Sequence, residues 1–164
     1  TQSSQSDIDL QDGYSFANGS LEFEWFHRTN LASFLGYRMA YAPEVKRTSY
    51  QAAFAGGRFY LWTPGLPIIA KRGTSRIHYD SKLNFYGDAG VTLGRYLAKV
   101  FGAEAALDIS SEFYGVQIGT GAKLPVTSRT AADFNVTFEA DRGYGPLNFY
   151  AFTTFIHLGL HYYY

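Results

Sequence analysis

A chain of 164 residues fits one domain and leaves little room for two. Its 14 Lys and Arg balance 14 Asp and Glu, which disfavours a nucleic-acid partner, and the lack of Cys excludes disulfides, thiolate metal sites, Cys nucleophiles and lipidation through Cys. Only 17% of residues are charged while 18% are aromatic, and 17 Gly accompany 14 Tyr and 14 Phe, which argues against a helical bundle and against long disorder.

In chain order, Thr1–Asp12 is polar and lacks a basic stretch followed by an apolar one, so it does not read as a signal peptide; if the chain is exported, this is the mature form. No stretch approaches the roughly 18 apolar residues of a transmembrane helix. Beyond the tail the chain alternates with period two. Leu21, Phe23 and Trp25 alternate with Glu22 and Glu24; Ser33, Leu35, Tyr37, Met39 and Tyr41 alternate with Phe34, Gly36, Arg38 and Ala40. Gln51–Trp62 reads as a strand of mixed phase around Gly56-Gly57. From Leu83 to Leu93 the odd positions are mostly apolar, against Asn84, Tyr86, Asp88, Gly90 and Thr92. Phe101 to Ile109 alternates with Glu104, Ala106 and Asp108, then the phase slips near Phe113–Tyr114, as a β-bulge would cause. Ala132, Phe134, Val136, Phe138 and Ala140 alternate with Asp133, Asn135, Thr137 and Glu139. The last run carries Tyr150, Phe152, Ile156, Leu158, Leu160, Tyr162 and Tyr164 on one parity, with His157, Gly159 and His161 on the other.

Turn signals fall at Arg28–Asn30, Ala42–Arg47, Thr63–Thr74, Gly119–Arg129 and Asp141–Pro146. Seven runs are clear. An eighth would come either from Ile77–Lys99 turning near Gly87–Gly90, or from a strand beginning at Asp12–Ala17 before Asn18-Gly19.

Alternation alone does not say which parity faces in. Three features favour an apolar exterior: runs long enough to cross a bilayer, at about 9–11 residues; Tyr and Trp near run ends, where interfacial girdles belong; and small residues (Gly36, Gly90, Gly94, Ala106, Ala151, Gly159) on the polar parity, as a narrow filled lumen requires. The expected fold is an all-β, antiparallel up-and-down transmembrane β-barrel of eight strands. Residues 1–12 form a periplasmic N-terminal tail, residues 13–164 a single barrel domain, and both termini lie in the periplasm.

Leu158, Leu160, Tyr162 and Tyr164 form an apolar parity that closes on an aromatic residue. This end resembles the C-terminal signature of bacterial outer-membrane barrels, and the chain length resembles their small eight-stranded members, the outer-membrane protein A-like barrels. The resemblance implies a Gram-negative outer membrane, insertion by machinery that reads these four residues, and contact with outer-membrane lipid and lipopolysaccharide.

On this reading the lumen holds a polar network: Glu22, Glu24, Arg38, Lys82, Asp88, Glu104, Asp108, Asp133, Glu139, His157 and His161, with Arg58 as a further inward base. Acids outnumber bases, so some carboxyls are protonated, lie at the rim or hold a cation. The bland account is a structural salt-bridge network; the functional one is a proton or cation path. His157 and His161 lie roughly 13 Å apart along a strand, at about 3.3 Å per residue, too far to share one metal. No metal set and no cofactor motif is found: Gly56-Gly57-Arg58 and Gly119-Thr120-Gly121 lack the P-loop spacing. Lys71, Arg72 and Arg76 form a basic cluster suited to a solvated loop or to anionic lipopolysaccharide.

His27 with Asp80 and Ser81 supplies the residue types of acyl transfer. With Gly143-Tyr144-Gly145-Pro146, this set resembles the outer-membrane lipid A palmitoyltransferase family, which would make these three catalytic; Thr1–Ala17 does not read as that family's amphipathic helix. The expected role is non-enzymatic: a structural, adhesive or accessory barrel, or a subunit of an assembly with other envelope proteins. It is too narrow for a general porin, which needs about 16 strands. The alternatives are a lipid-modifying acyltransferase and a soluble lipocalin-like carrier with the aromatic parity facing in.

Overall fold

In a computed structural model, which describes residues 17–28, 30–42, 48–61, 83–101, 106–127, 130–146 and 148–162, the chain is all-β. The strands are β1 (Ala17–Arg28), β2 (Leu31–Ala42), β3 (Thr48–Tyr60), β4 (Asn84–Phe101), β5 (Ala106–Pro125), β6 (Thr130–Tyr144) and β7 (Phe149–Tyr162). They form one seven-stranded antiparallel sheet in chain order. The sheet curls into a half-barrel, so that side chains from β2 and β3 reach β6 and β7 across its concave face. The β1–β2 and β5–β6 turns lie at one end, taken as upper. The β2–β3, β4–β5 and β6–β7 connections lie at the lower end. An odd number of alternating strands makes β1 and β7 run the same way, which sets Ala17 and Tyr162 at opposite ends.

Local chemistry explains the turns. Thr127 and Thr130 bracket the β5–β6 turn: the Thr130 amide donates to the Thr127 hydroxyl at 3.0 Å, and the Val126 amide to the Thr130 carbonyl at 2.9 Å. The β6–β7 turn passes through Gly145 at φ 113°, a left-handed conformation that a side chain would strain. A register shift between Phe26 and Arg28 is the bulge of the β1–β2 pair.

Glycine and aromatic residues share the concave face as opposed pairs. Gly36 stands opposite Phe54, Gly56 opposite Phe34, Gly94 opposite Phe113, Gly121 opposite Tyr86 and Gly143 opposite Phe149. In each pair the ring lies over the glycine, where a Cβ would overlap it. A curled sheet crowds its concave side, and a glycine on one neighbouring strand leaves the room that each of these five rings takes.

Several sequence expectations change. Asn84–Phe101 is one strand with unbroken pairing, so no turn near Gly87–Gly90 supplies an extra strand. The alternation through Phe101–Ile109 spans a connection between β4 and β5. No bulge accompanies the phase change at Phe113–Tyr114: β5 keeps one register with β4 and with β6, and the apolar residue moves inward because Phe113 belongs to an aromatic cluster. Gly119–Pro125 continues β5 instead of forming a loop, its glycines admitting Asp88 and Tyr86. Asp141–Tyr144 likewise continues β6, and Asn18-Gly19 lies inside β1. Thr63–Thr74 and the proposed tail, 1–12, lie outside the described residues.

Replacing Gly36 with Val should lower stability by about 1–3 kcal/mol through overpacking against Phe54. Gly159→Ala, where nothing stands within 4 Å, should stay within about 0.5 kcal/mol. Urea unfolding midpoints of the two variants check this.

Candidate functional site

Because strand side chains alternate, each strand sends one parity to the concave face, and that parity carries the buried charges. Arg58 on β3 is the hub of the upper half. Its guanidinium donates to Glu22 at 2.6 and 3.2 Å and to Asp88 at 3.0 and 3.3 Å, and stands 3.4 Å from Glu24. It also lies over the rings of Tyr86, at 4.3 Å, and Phe34, at 5.1 Å. Lys123 on β5 crosses the half-barrel to Glu24 on β1 and donates to the Tyr60 hydroxyl at 2.7 Å, while Tyr60 donates to Glu24 at 2.6 Å. Tyr86 donates to Asp133 at 2.8 Å, Asn135 donates to the Tyr86 hydroxyl at 3.2 Å, and His161 stands 2.9 Å from Asp133.

The lower half is built on Arg38, buried and set 2.9 Å from Glu139. Tyr50 donates a short hydrogen bond to the other Glu139 oxygen. The Arg38 guanidinium lies over Phe155 at 4.1 Å and Phe54 at 4.9 Å. Beneath it Tyr50, Tyr96, Phe113, Phe149 and Phe155 pack ring on ring, with neighbouring centroids 5.1–5.4 Å apart. The interior is thus an ion-pair network above an aromatic plug.

The structure brings Glu22, Glu24, Arg38, Asp88, Asp133, Glu139 and His161 into this network in pairs or triads. His157 lies on the same face, stacked on Phe155 at 5.9 Å, with Nε2 unpartnered. Lys82 and Glu104 lie outside the described residues, and Asp108 is placed only through its backbone pairing with Lys99. Sequence reasoning missed Lys123, Tyr60, Tyr86, Tyr50 and Asp141. Lys123 and Asp141 fall in segments that read as turns; Tyr86 stands on the polar parity of its run, but nothing in the pattern gives it, Tyr50 or Tyr60 a place in a polar network.

His27 sits on the outward face of β1, its Nε2 2.7 Å from the Ser33 hydroxyl. It lies at the upper end, the end at which Tyr162 leaves the sheet. Asp80 and Ser81, like Lys71, Arg72 and Arg76, lie outside the described residues. Leu158, Leu160 and Tyr162 form an exposed outward row on β7, with Tyr164 outside the described residues. Among the described residues no three His, Asp or Glu converge as a metal site. Comparison with family models, curated proteins and solved structures gives no match to this chain.

Lys123→Met should cost about 3–5 kcal/mol by leaving Glu24 buried without its cation. The double variant Lys123→Met/Glu24→Gln should recover most of that loss, because both charges are then gone. A double-mutant cycle on unfolding midpoints measures it.

Proposed function

We propose that this chain is a small integral barrel of the bacterial outer membrane with a non-enzymatic, structural or accessory role. The observation that carries the reading is the inversion of burial: Lys123 is 1% exposed, whereas Phe152 and Leu160 are 87% and 81% exposed. Water does not favour that arrangement, and a hydrocarbon surround does. Along β5 the outward positions from Val116 to Leu124 are Val116, Ile118, Thr120, Ala122 and Leu124, a stretch of the length that crosses a bilayer, about 9–11 residues. Below this band the register lines up Tyr37, Ala53, Leu93, Tyr114, Arg142 and Tyr150 around the outer face. The next row holds Gln51, Arg95, Glu112 and Tyr144. Tyrosines interleaved with charged groups suit the level of lipid headgroups, lipopolysaccharide among them.

Edges left unpaired in hydrocarbon are not viable. The reading therefore requires an eighth strand in the seam between β7 and β1, antiparallel to both, which also returns the two termini to one side. Insertion machinery would read Leu158, Leu160, Tyr162 and Tyr164. Ion pairs and rings packed across the concave face suit a scaffold rather than a pore. A carrier of apolar ligands would need the aliphatic parity inside, but Leu35, Val91, Val116, Ile118 and Leu158 stand outside.

Membrane fractionation with gel mobility before and after boiling tests the location: residence in the outer membrane and a heat-dependent shift are expected, and a soluble chain of unchanged mobility overturns the reading. Ile118→Lys sharpens the test. Facing lipid near the midplane it should cost about 2–4 kcal/mol, whereas on a water-facing surface it would stay within about 0.5 kcal/mol.

A further inference from the structure

The concave face holds an imbalance that its ion pairs do not settle. Among the described residues six carboxyl groups point inward: Glu22, Glu24, Asp88, Asp133, Glu139 and Asp141. Three permanent cations meet them: Arg38, Arg58 and Lys123. Arg58 serves Glu22 and Asp88, Lys123 serves Glu24, Arg38 serves Glu139, and His161 stands by Asp133. Asp141 lies within ion-pair distance of none of these cations. It is 3% exposed; its Oδ1 accepts from the Thr92 hydroxyl at 3.3 Å, no donor meets its Oδ2, and the group that stands beside it is a second carboxyl, that of Glu139. An ionised carboxylate buried in that way is costly unless something positive meets it.

A second observation points to the same place. Gln117, also 3% exposed, has a carbonyl Oε1 that accepts nothing. It stands directly opposite Glu139 on the same face, and the next inward position of β5 is Gly115, opposite Asp141. A Cβ at Gly115 would overlap both Asp141 Oδ1 and Thr92 Oγ1, so the missing side chain makes the notch these oxygens occupy. The Asp141 carboxylate, the Gln117 amide oxygen, the Glu139 carboxylate and the Thr92 hydroxyl therefore occupy neighbouring inward positions of β4, β5 and β6, with the Glu139 oxygens also held by Arg38 and Tyr50. Two residues further along β5, Asp88 Oδ1 lies over Gly119 and is likewise unpartnered.

We propose that this notch, centred on Asp141 and Gln117, binds one hard divalent cation, Ca2+. The ligand atoms are all oxygens, charged and neutral mixed, with neither nitrogen nor sulfur among them, which is the donor set Ca2+ takes. Only two carboxylates contribute, and the remaining oxygens are neutral. One divalent ion offsets Asp141 and part of the remaining excess. The site lies on the concave face and does not depend on what surrounds the convex one.

The test uses folded protein in detergent, stripped with EDTA and titrated with Tb3+ as a luminescent stand-in for Ca2+. Tyr50 is hydrogen-bonded to Glu139 and so sits where it would sensitise the emission. Tyrosine-excited emission should appear and be chased by Ca2+. Asp141→Asn and Gln117→Leu should each weaken the apparent affinity about tenfold or more. Gln117→Glu, which adds a charged oxygen, should tighten it and covers the case in which the leucine variant does not fold. Glu112→Gln, on the outer face, should change nothing. Absent emission, or emission unaltered by Asp141→Asn, overturns the proposal. So does an unfolding midpoint that ignores Ca2+ in the parent chain yet rises in Asp141→Asn, since the compensating charge is then a proton held between Asp141 and Glu139.

Discussion

A guanidinium taken out of water needs acceptors for every direction in which it donates, and Arg58 finds them on three strands. Glu22 and Glu24 come from β1 and Asp88 from β4, and with the Phe34 ring of β2 they make the three strands that meet it. Tyr86 and Phe34 supply ring faces above and below. Lys123 on β5 shares Glu24 with it from four strands away, a contact that no flat sheet allows. The curl of the sheet and the satisfaction of these buried charges are therefore linked. Lys123 with Glu24, and Arg38 with Glu139, repeat the constraint from other directions, each spanning the concave side.

The glycines make that curvature sterically possible. A concave face lined by Phe34, Phe54, Tyr86, Phe113 and Phe149 would jam if each ring met a side chain on every neighbouring strand, and each lies over a glycine on at least one. Charge and size are therefore sorted together. Where the interior is ionic, the glycines at 115 and 119 leave room for carboxylate oxygens. Where it is aromatic, those at 36, 94 and 143 leave room for rings.

Period two was legible wherever both faces kept a constant character. Ala132–Ala140 reads directly as a strand, and it is one, because β6 is charged or polar inside and apolar outside along that stretch. The pattern failed where the inner face changed character. At Phe113 the interior turns aromatic, so the alternation looks shifted although the strand is straight. Gly119–Pro125 looked like a loop because Gly, Lys and Pro cluster there. The glycines answer to Asp88 and Tyr86 on β4, and Lys123 answers to Glu24, 99 residues away. A local window cannot see such partners. Nor does alternation carry a sign: which parity faces inward became readable only once Arg38, Arg58 and Lys123 were placed on the concave side. The polar network was partly legible for the same reason: Glu22, Glu24, Asp88, Asp133 and Glu139 stand in regular stretches, whereas Asp141 hides in a string that looks like a turn.

Every backbone ladder in the sheet joins strands adjacent in sequence, while Arg38 meets Glu139 across 101 residues and Lys123 meets Glu24 across 99. The two kinds of contact therefore form at different moments. Hairpins zip as soon as two neighbouring strands exist, early and with small loop-closure entropy. The long-range charge pairs wait until β5 and β6 have arrived, and until then the arginines of β2 and β3 must keep their hydration shells. The half-made sheet is thus obliged to stay wet on its concave side, and dehydration of that side becomes the last event of assembly rather than its driving collapse.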